Sequence, residues 1–419
     1  MLQPVIRQTI RLAVRPLPLL LATLLLLPGT GQAGDIVAPK PDARPVALVA
    51  GLAPGALKTK LAACVDDPVR RNSFTIGHRG APLRFPEHTR ESYVAAAAQG
   101  AGVLECDVTF TRDKQLVCRH AQNDLHSTTD ILLTPLATKC TKPFAPATFD
   151  AGGKLVTPAT AECRTSDITL AEFRSLRGKH DGFDPRAVSV EQYVRGGRTQ
   201  ANAAGPAWGT LMTHDDSIAL FRELGVQMVP ELKQPVVPMP FDGMSQQDYA
   251  QRMLDAYEAA GVPAGDVWPQ SFNLEDVRYW IAREPAFAQQ AVYLEPAEQV
   301  RDLPDATALQ QLRAEGVRIW APALYALLAV DAQGNIVPSQ AARDARKAGL
   351  ELVTWSLERS GVLHAGNNGF YYQTINAAIT GESDVLRVLD VLSREVGVRA
   401  VFSDWPATAS FYANCMGRE

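Results

Sequence analysis

His78, Arg79, Glu105, Asp107 and His120 all stand within one stretch, Thr75 to His120, and their side-chain types suit acid–base and cation-binding chemistry. Imidazoles exchange protons near neutral pH, and the arginine adds a fixed cationic fork of donors. Glu105 and Asp107 are separated by one residue, so a strand would carry both on one face beside Val103. Two like charges held together survive burial only with a cation or a raised pKa, and a bound cation is the simpler solution. Taken singly, each residue has a structural explanation: an E-x-D pair on a half-exposed strand pairs with nearby Lys or Arg, and lone histidines pack. The conjunction of H-R-G at one strand end, E-x-D on the next strand and a His on the hairpin return is what points to a site.

The elements that must position these groups are short. Phe74–Ile76 is a β-favouring run ending in Gly77-His78-Arg79-Gly80, whose glycines allow a turn and close approach of a ligand. Arg90 to Gln99 is alanine-rich and closed by Gly100, which predicts a helix with a C-terminal stop. Val103–Val108 is the second strand. After the Arg112-Asp113-Lys114 turn, Leu116–Arg119 returns as an antiparallel hairpin, because a parallel return needs a longer crossover, and it brings His120 towards the acids.

Farther on, Asp215–Leu224 reads as an amphipathic helix stopped by Gly225, and Val226–Leu232 as a strand with Val229, Glu231 and Lys233 on one face. Pro230 removes a ladder donor and predicts a bulge or a barrel end. Strands are expected near Val267–Phe272, Ala291–Leu294, Val317–Ala321, Glu351–Trp355 and Arg399–Ser403. Helices are expected near Ser245–Ala260, Leu274–Glu284, Ala306–Glu315, Ser339–Ala348 and Asp384–Glu395. The alternation predicts an α/β fold with a parallel sheet, and eight such strands suit a closed (β/α)8 TIM barrel with its site at the C-terminal strand ends. His78, Glu105, Asp107, Glu231, Gln270 and Trp355 all fall at or near such ends; an open doubly wound sheet is the alternative. The long polar stretch from Thr129 to about Gln200 reads as an insertion after the second-strand hairpin, with Thr169 as a helix cap ahead of Glu172.

The phrases His78-Arg79-Gly80, Pro86-Glu87-His88-Thr89, Glu105-x-Asp107 and the strand ending at His120 resemble those of the glycerophosphodiester phosphodiesterase family, in that order and spacing, and PEHT looks like its periplasmic, glycerol-3-phosphate-generating branch. Pro230-Glu231-Leu232-Lys233, Gln270-Ser271-Phe272, Thr354-Trp355-Ser356 and Ser403-Asp404-Trp405-Pro406 look like further family phrases. Ala121 departs from the pattern, standing where the family usually has Asp after the histidine, while Asp124 matches another familiar position. The resemblance implies Glu105, Asp107 and Glu231 as metal ligands and Arg79 and Lys233 as phosphate contacts. His78 and His120 become the general acid and base, in either order. An all-oxygen ligand set favours a hard cation; export and the resemblance favour Ca2+, with Mg2+ as the alternative. Gln270, Phe272 and Trp355 are candidate substrate contacts, the aromatics against a glycerol skeleton or simply as barrel core. The Gly361–Tyr372 loop is placed to cover the site. The implied reaction releases sn-glycerol 3-phosphate and an alcohol such as choline, ethanolamine or glycerol. A phospholipase D-like or phosphoinositide-type diesterase and a non-catalytic binding barrel are the rivals.

Arg7, Arg11 and Arg15, the apolar run Leu17–Leu27 and the small-residue end at Ala33 follow the order of a secretory signal, so residues 1–33 are expected to be removed, an uncleaved anchor being the alternative. Residues 34–72, rich in proline and alanine, read as an extended arm, and 73–419 as the barrel including its insertion at about 130–200. Loss of the signal moves the formal charge from −4 to −7, which gives no reason to expect nucleic acid or anionic membrane as a partner. The expected partner is a small-molecule glycerophosphodiester, and the expected location is periplasmic or secreted. All six cysteines lie in the exported part, where disulfides form. Cys140–Cys163 is the first expected pair and Cys64–Cys415 the second, with Cys106 read as a small buried hydrophobe.

Overall fold

The computed structural model describes residues 43–197 and 205–418. Eight parallel strands run in chain order: β1 (Asn72–Gly77), β2 (Ala101–Phe110), β3 (Gln227–Leu232), β4 (Gln270–Ser271), β5 (Val292–Leu294), β6 (Ile319–Ala321), β7 (Glu351–Thr354) and β8 (Ala400–Ser403). Ile76 on β1 pairs with Val103 on β2 and with Phe402 on β8, so the sheet closes on itself as a (β/α)8 barrel. Inside it, Ile76, Val103, Val229, Ile319 and Val353 pack as one apolar cluster, each worth roughly 1.5–3 kcal/mol when fully buried. Helices between the strands bury their apolar faces against the outside of the barrel.

Local chemistry explains the helix boundaries. The helix His214–Leu224 opens with a reciprocal Thr213/Asp216 capping box and stops at Gly225, whose φ of 64° suits a residue without Cβ. The expected Thr169/Glu172 box is also present, opening Leu170–Phe173. The antiparallel return is Leu116–Cys118, with Cys118 opposite Val108.

Several expectations need correction. The described part of the arm is not extended: it forms helices Ala43–Gly51 and Ala56–Ala62, because Leu48, Val49 and Leu52 recur at helical spacing and are buried together. The predicted signal, residues 1–33, lies outside the described residues. Pro230 makes no bulge; its register runs unbroken opposite Cys106. Lys233 N donates to Val108 O on β2, so alternation turns Pro230 towards β4, where β3 keeps one ladder pair, Glu231 with Gln270. Pro269 cannot donate, and the strand expected over Val267–Phe272 shrinks to two residues. The helix expected over Asp384–Glu395 is α-helical to Asp390 and then widens into a π-turn over Val391–Val396.

Cys106 is bonded to Cys118 across the hairpin, which places Cys118 one pleat diagonally from it, so it is not a free hydrophobe. Cys140–Cys163 and Cys64–Cys415 form as expected. The insertion is no loose loop. Short ladders pair Lys142–Ala145 with Thr160–Glu162 and Arg177–Lys179 with Trp208–Thr210, over a separate core that includes Leu125, Ile131, Phe173 and Tyr193. It therefore continues beyond residue 200. Among the described residues no helix is long and apolar enough to cross a membrane.

Candidate active site

β1 ends at Gly77 and delivers His78 and Arg79 in a turn at the C-terminal mouth of the barrel. Arg79 has φ 59° and Gly80 φ 92°, and a Cβ on Gly80 would lie 2.4 Å from Ser92 Oγ, so only glycine fits there. His78 N donates to Ser403 O at the end of β8. The His78 ring is buried, with Nδ1 2.5 Å from Asp404 Oδ1 and 3.1 Å from Ser356 Oγ. Its Nε2 points into the mouth, 3.9 Å from Glu105 Oε2. Burial lowers the His78 pKa against the pull of Asp404, so the imidazole is neutral at pH 7. Asp404 is held at about 2, because Arg359 and His78 outweigh the cost of its burial.

β2 carries Glu105 and Asp107 on one face, as alternation requires, and the β2–β3 register sets Glu231 directly beside Asp107. The three carboxylates are buried, and each offers an oxygen within 4.8 Å of the others. Glu105 accepts from Arg79 N and from Gln270 Nε2, both at 2.9 Å. Asp107 Oδ2 meets His88 Nε2 at 2.8 Å, and Glu231 Oε1 meets Lys233 Nζ at 2.6 Å. Burial and the neighbouring acids push Glu105 well up and Glu231 to about 7. Asp107 goes the other way: Lys233 and His88 overcome its desolvation and hold it ionised.

Three polar atoms here are buried without a hydrogen-bond partner: Asp107 Oδ1, Gln270 Oε1 and Arg79 Nε, the last 3.9 Å from Asp107 Oδ2. Orphaned acceptors among clustered carboxylates fit a cation, and an orphaned guanidinium N–H beside them fits an anion. The donor set is all oxygen, since His88 Nε2 is already engaged by Asp107. A hard divalent cation therefore fits these residues.

His120 follows the hairpin return. Burial, with Arg79 and Lys233 nearby, holds its pKa well below the usual value. It lines two spaces. One is a chamber of about 90 Å³ that also holds His78, Arg79, Glu105 and Lys233. The other is an open groove of about 690 Å³ reaching Asn273, Glu298 and Phe370, which His78 does not line. Phe272 and Trp355 border both spaces and pack edge to face at 5.5 Å, so neither is plain core. Trp355 is fixed by its indole N–H to Ala321 O, and Tyr371 from the Gly361–Tyr372 loop closes the chamber beside it. Lys233 Nζ lies 6.0 Å over the Phe272 ring.

All ten site residues expected from sequence reach this mouth, though Gln270 points at Glu105 as a brace. Glu87, His88, Arg359 and Asp404 belong to the site and were not singled out. Glu87 takes the Arg79 guanidinium at 3.1 Å, and His88 bridges Asp107 and the Tyr93 hydroxyl. The PEHT phrase holds Glu87 and His88 and the SDWP phrase holds Asp404, whereas Arg359 stands in no such phrase. Asp124 does not replace the carboxylate missing at Ala121: it accepts from Ala121 N at 3.0 Å and from Thr128 Oγ1, bracing the turn behind His120.

Comparison with known proteins agrees with this geometry. The chain is 44% identical over 244 residues to a protein of Arthroderma benhamiae named "Extracellular protein", covering 56% of this chain and 98% of that one. A probable glycerophosphodiester phosphodiesterase of Mycobacterium tuberculosis is 46% identical over 55 residues, 13% of this chain and 20% of that one. The crystal structure of a putative glycerophosphoryl diester phosphodiesterase from Silicibacter pomeroyi superposes with a TM-score of 0.53 at 19% identity, covering 84% of this chain and 95% of that one. The family profile of the glycerophosphoryl diester phosphodiesterases matches residues 78–408, from the first site histidine to the start of the last helix. This chain therefore belongs to the glycerophosphoryl diester phosphodiesterase family, and its reaction is hydrolysis of glycerophosphodiesters.

Proposed function

We propose that the enzyme is a metal-dependent hydrolase that releases sn-glycerol 3-phosphate and a free alcohol such as choline, ethanolamine or glycerol, with His78 as general base and His120 as general acid. The observation that carries this reading is the trio Glu105, Asp107 and Glu231, with Asp107 Oδ1 lacking a hydrogen-bond donor and Arg79 Nε 3.9 Å from Asp107 Oδ2. These carboxylates would hold a divalent cation, Ca2+ first and Mg2+ as the alternative, which when bound supplies Lewis-acid neutralisation of charge building on phosphorus.

Arg79 and Lys233 bind the non-bridging phosphate oxygens. His78 Nδ1–H donates to Asp404, which fixes the tautomer and leaves the Nε2 lone pair facing the chamber. His78 Nε2 takes the proton of the glycerol hydroxyl adjacent to the phosphoester. That oxygen attacks phosphorus, the bond to the alcohol oxygen breaks, and His120 protonates the departing alkoxide. The small chamber suits glycerol and the open groove suits the variable alcohol, which is why the histidine that borders the groove is assigned as the acid. Water then opens the resulting cyclic phosphate, with the two histidines exchanging roles. His120 needs a proton to act first: the diester enters as a monoanion and gains negative charge as phosphorus is attacked, which favours the imidazolium that burial, Arg79 and Lys233 disfavour in the free enzyme.

An exported enzyme fits three disulfides and the similarity to a protein named extracellular. In this reading residues 1–33 are a removed signal and 73–419 the working barrel in the periplasm or outside the cell. The test couples glycerophosphocholine hydrolysis to glycerol 3-phosphate detection, in EDTA and then with Ca2+ or Mg2+ restored. Release that stops in EDTA and returns with one ion is the expected result; undiminished release in EDTA would remove the metal from the mechanism.

A further inference from the structure

Arg359 leaves the end of β7 on the loop that carries Tyr371, and it is not among the residues lining the reaction chamber. Its guanidinium spans two buried carboxylates, with Nη1 3.3 Å from Asp404 Oδ2 and Nη2 3.4 Å from Glu87 Oε2. Those two carboxylates in turn carry the neighbouring residues of the β1 turn. Asp404 Oδ1 holds His78 Nδ1 at 2.5 Å, and Glu87 holds Arg79 Nη1 at 3.1 and 3.3 Å. The result is a closed ring, His78–Asp404–Arg359–Glu87–Arg79, in which two carboxylates face two guanidiniums and a neutral imidazole.

We propose that Arg359 is a positioning residue that aims both His78 and Arg79 by clamping the two carboxylates that hold them. The inference rests on the roles proposed above for those two residues. Without Arg359, Arg79 is the one cation still hydrogen-bonded to either carboxylate, through Glu87, and the nearer relaxation is for Asp404 to turn towards it as well. Asp404 then swings off His78 Nδ1, the ring loses its fixed tautomer, and Nε2 no longer meets the hydroxyl it must deprotonate. Because Arg359 and Tyr371 share one loop, the covering of the chamber and the aim of its base are set by the same segment.

The experiment measures kcat and KM of wild type, R359A, R359K and R359Q on glycerophosphocholine with Ca2+, with folding checked by circular dichroism and thermal melting. R359A should lose about 10- to 100-fold in kcat, the scale of a misplaced catalytic group, with a smaller change in KM. R359K should keep more turnover than R359Q. Added guanidinium at millimolar concentration should restore part of the R359A loss and leave the wild type unchanged, a response that loss of packing alone does not give. If R359A fails to fold, the order of R359K and R359Q decides. A folded R359A with wild-type kcat overturns the proposal, as does a loss that neither lysine nor guanidinium recovers or an R359Q equal to R359K. Absence of turnover in the wild type would instead contradict the hydrolytic reading itself, so the two failures are distinct.

Discussion

Two groups of buried carboxylates sit near strand ends of the same barrel and are solved in opposite ways. Asp276, just beyond β4, accepts from Ser271 Oγ, Gln246 Nε2 and Asn273 Nδ2 at 2.9 to 3.2 Å. Glu295, just beyond β5, accepts from Trp320 Nε1 and Ala297 N, both at 3.1 Å. Each has neutral donors for its oxygens and no clustered acid opposite. Glu105, Asp107 and Glu231 face one another, and the structure leaves Asp107 Oδ1 without a donor. A buried carboxylate that only stabilises is surrounded by donors, whereas one kept among its own kind is stored for a ligand that the chain does not supply.

Exchanging the chemistry of the two groups should separate them most sharply. E231Q should lower kcat by roughly 10²–10³-fold, the scale of removing one electrostatic partner of a transition state. In metal-free buffer the same variant should melt close to the wild type, because relief of three crowded acids is set against loss of the buried Lys233 ion pair. Ca2+ at a hundred times its Kd should stabilise the wild type by about 2.7 kcal/mol and E231Q much less. D276N should behave in reverse, keeping turnover near wild type while losing about 1–3 kcal/mol, since an amide N–H then faces donors. Kinetics and thermal melts with and without Ca2+ read both; an E231Q that is simply less stable in every buffer would erase the distinction.

A third buried group sharpens the contrast at smaller scale. His214 packs behind β2 with Nε2 donating to Met253 O at 3.1 Å, and burial holds its pKa at about 4 against an ordinary 6.5. A depressed folded value means that its stabilisation is complete above 6.5 and is lost as pH falls towards 4. The expected loss, up to about 3 kcal/mol, should be independent of Ca2+ and should disappear in H214Q. Urea titrations between pH 7 and pH 4 would measure it, and an unchanged pH slope in H214Q would assign the loss elsewhere.

What was legible in the sequence was what local periodicity decides. Alternation put Val103, Glu105 and Asp107 on one face, a short turn demanded the antiparallel return to His120, and the glycine-stopped helices outlined the barrel. What was not legible depends on closure. Asp404 meets His78 across 326 residues and Arg359 meets Glu87 across 272, contacts made only when β8 and β7 come round beside β1. Cys106 lies on the face opposite the acids, where packing is the local expectation, yet the same hairpin that delivers His120 sets Cys118 diagonal to it. The arm failed because proline and alanine content hid an apolar helical face.

The division of labour between His120 at the groove and His78 in the chamber is the centre of the mechanism. The decisive measurement compares H120A and H78A on glycerophosphocholine and on a glycerophosphodiester of p-nitrophenol, whose phenolate departs without a proton. H120A should be crippled on the choline ester and recover most of its turnover on the nitrophenyl ester, while H78A stays crippled on both. Recovery in H78A and not in H120A would reverse the assignment, and near-normal turnover of either variant on the choline ester would contradict it.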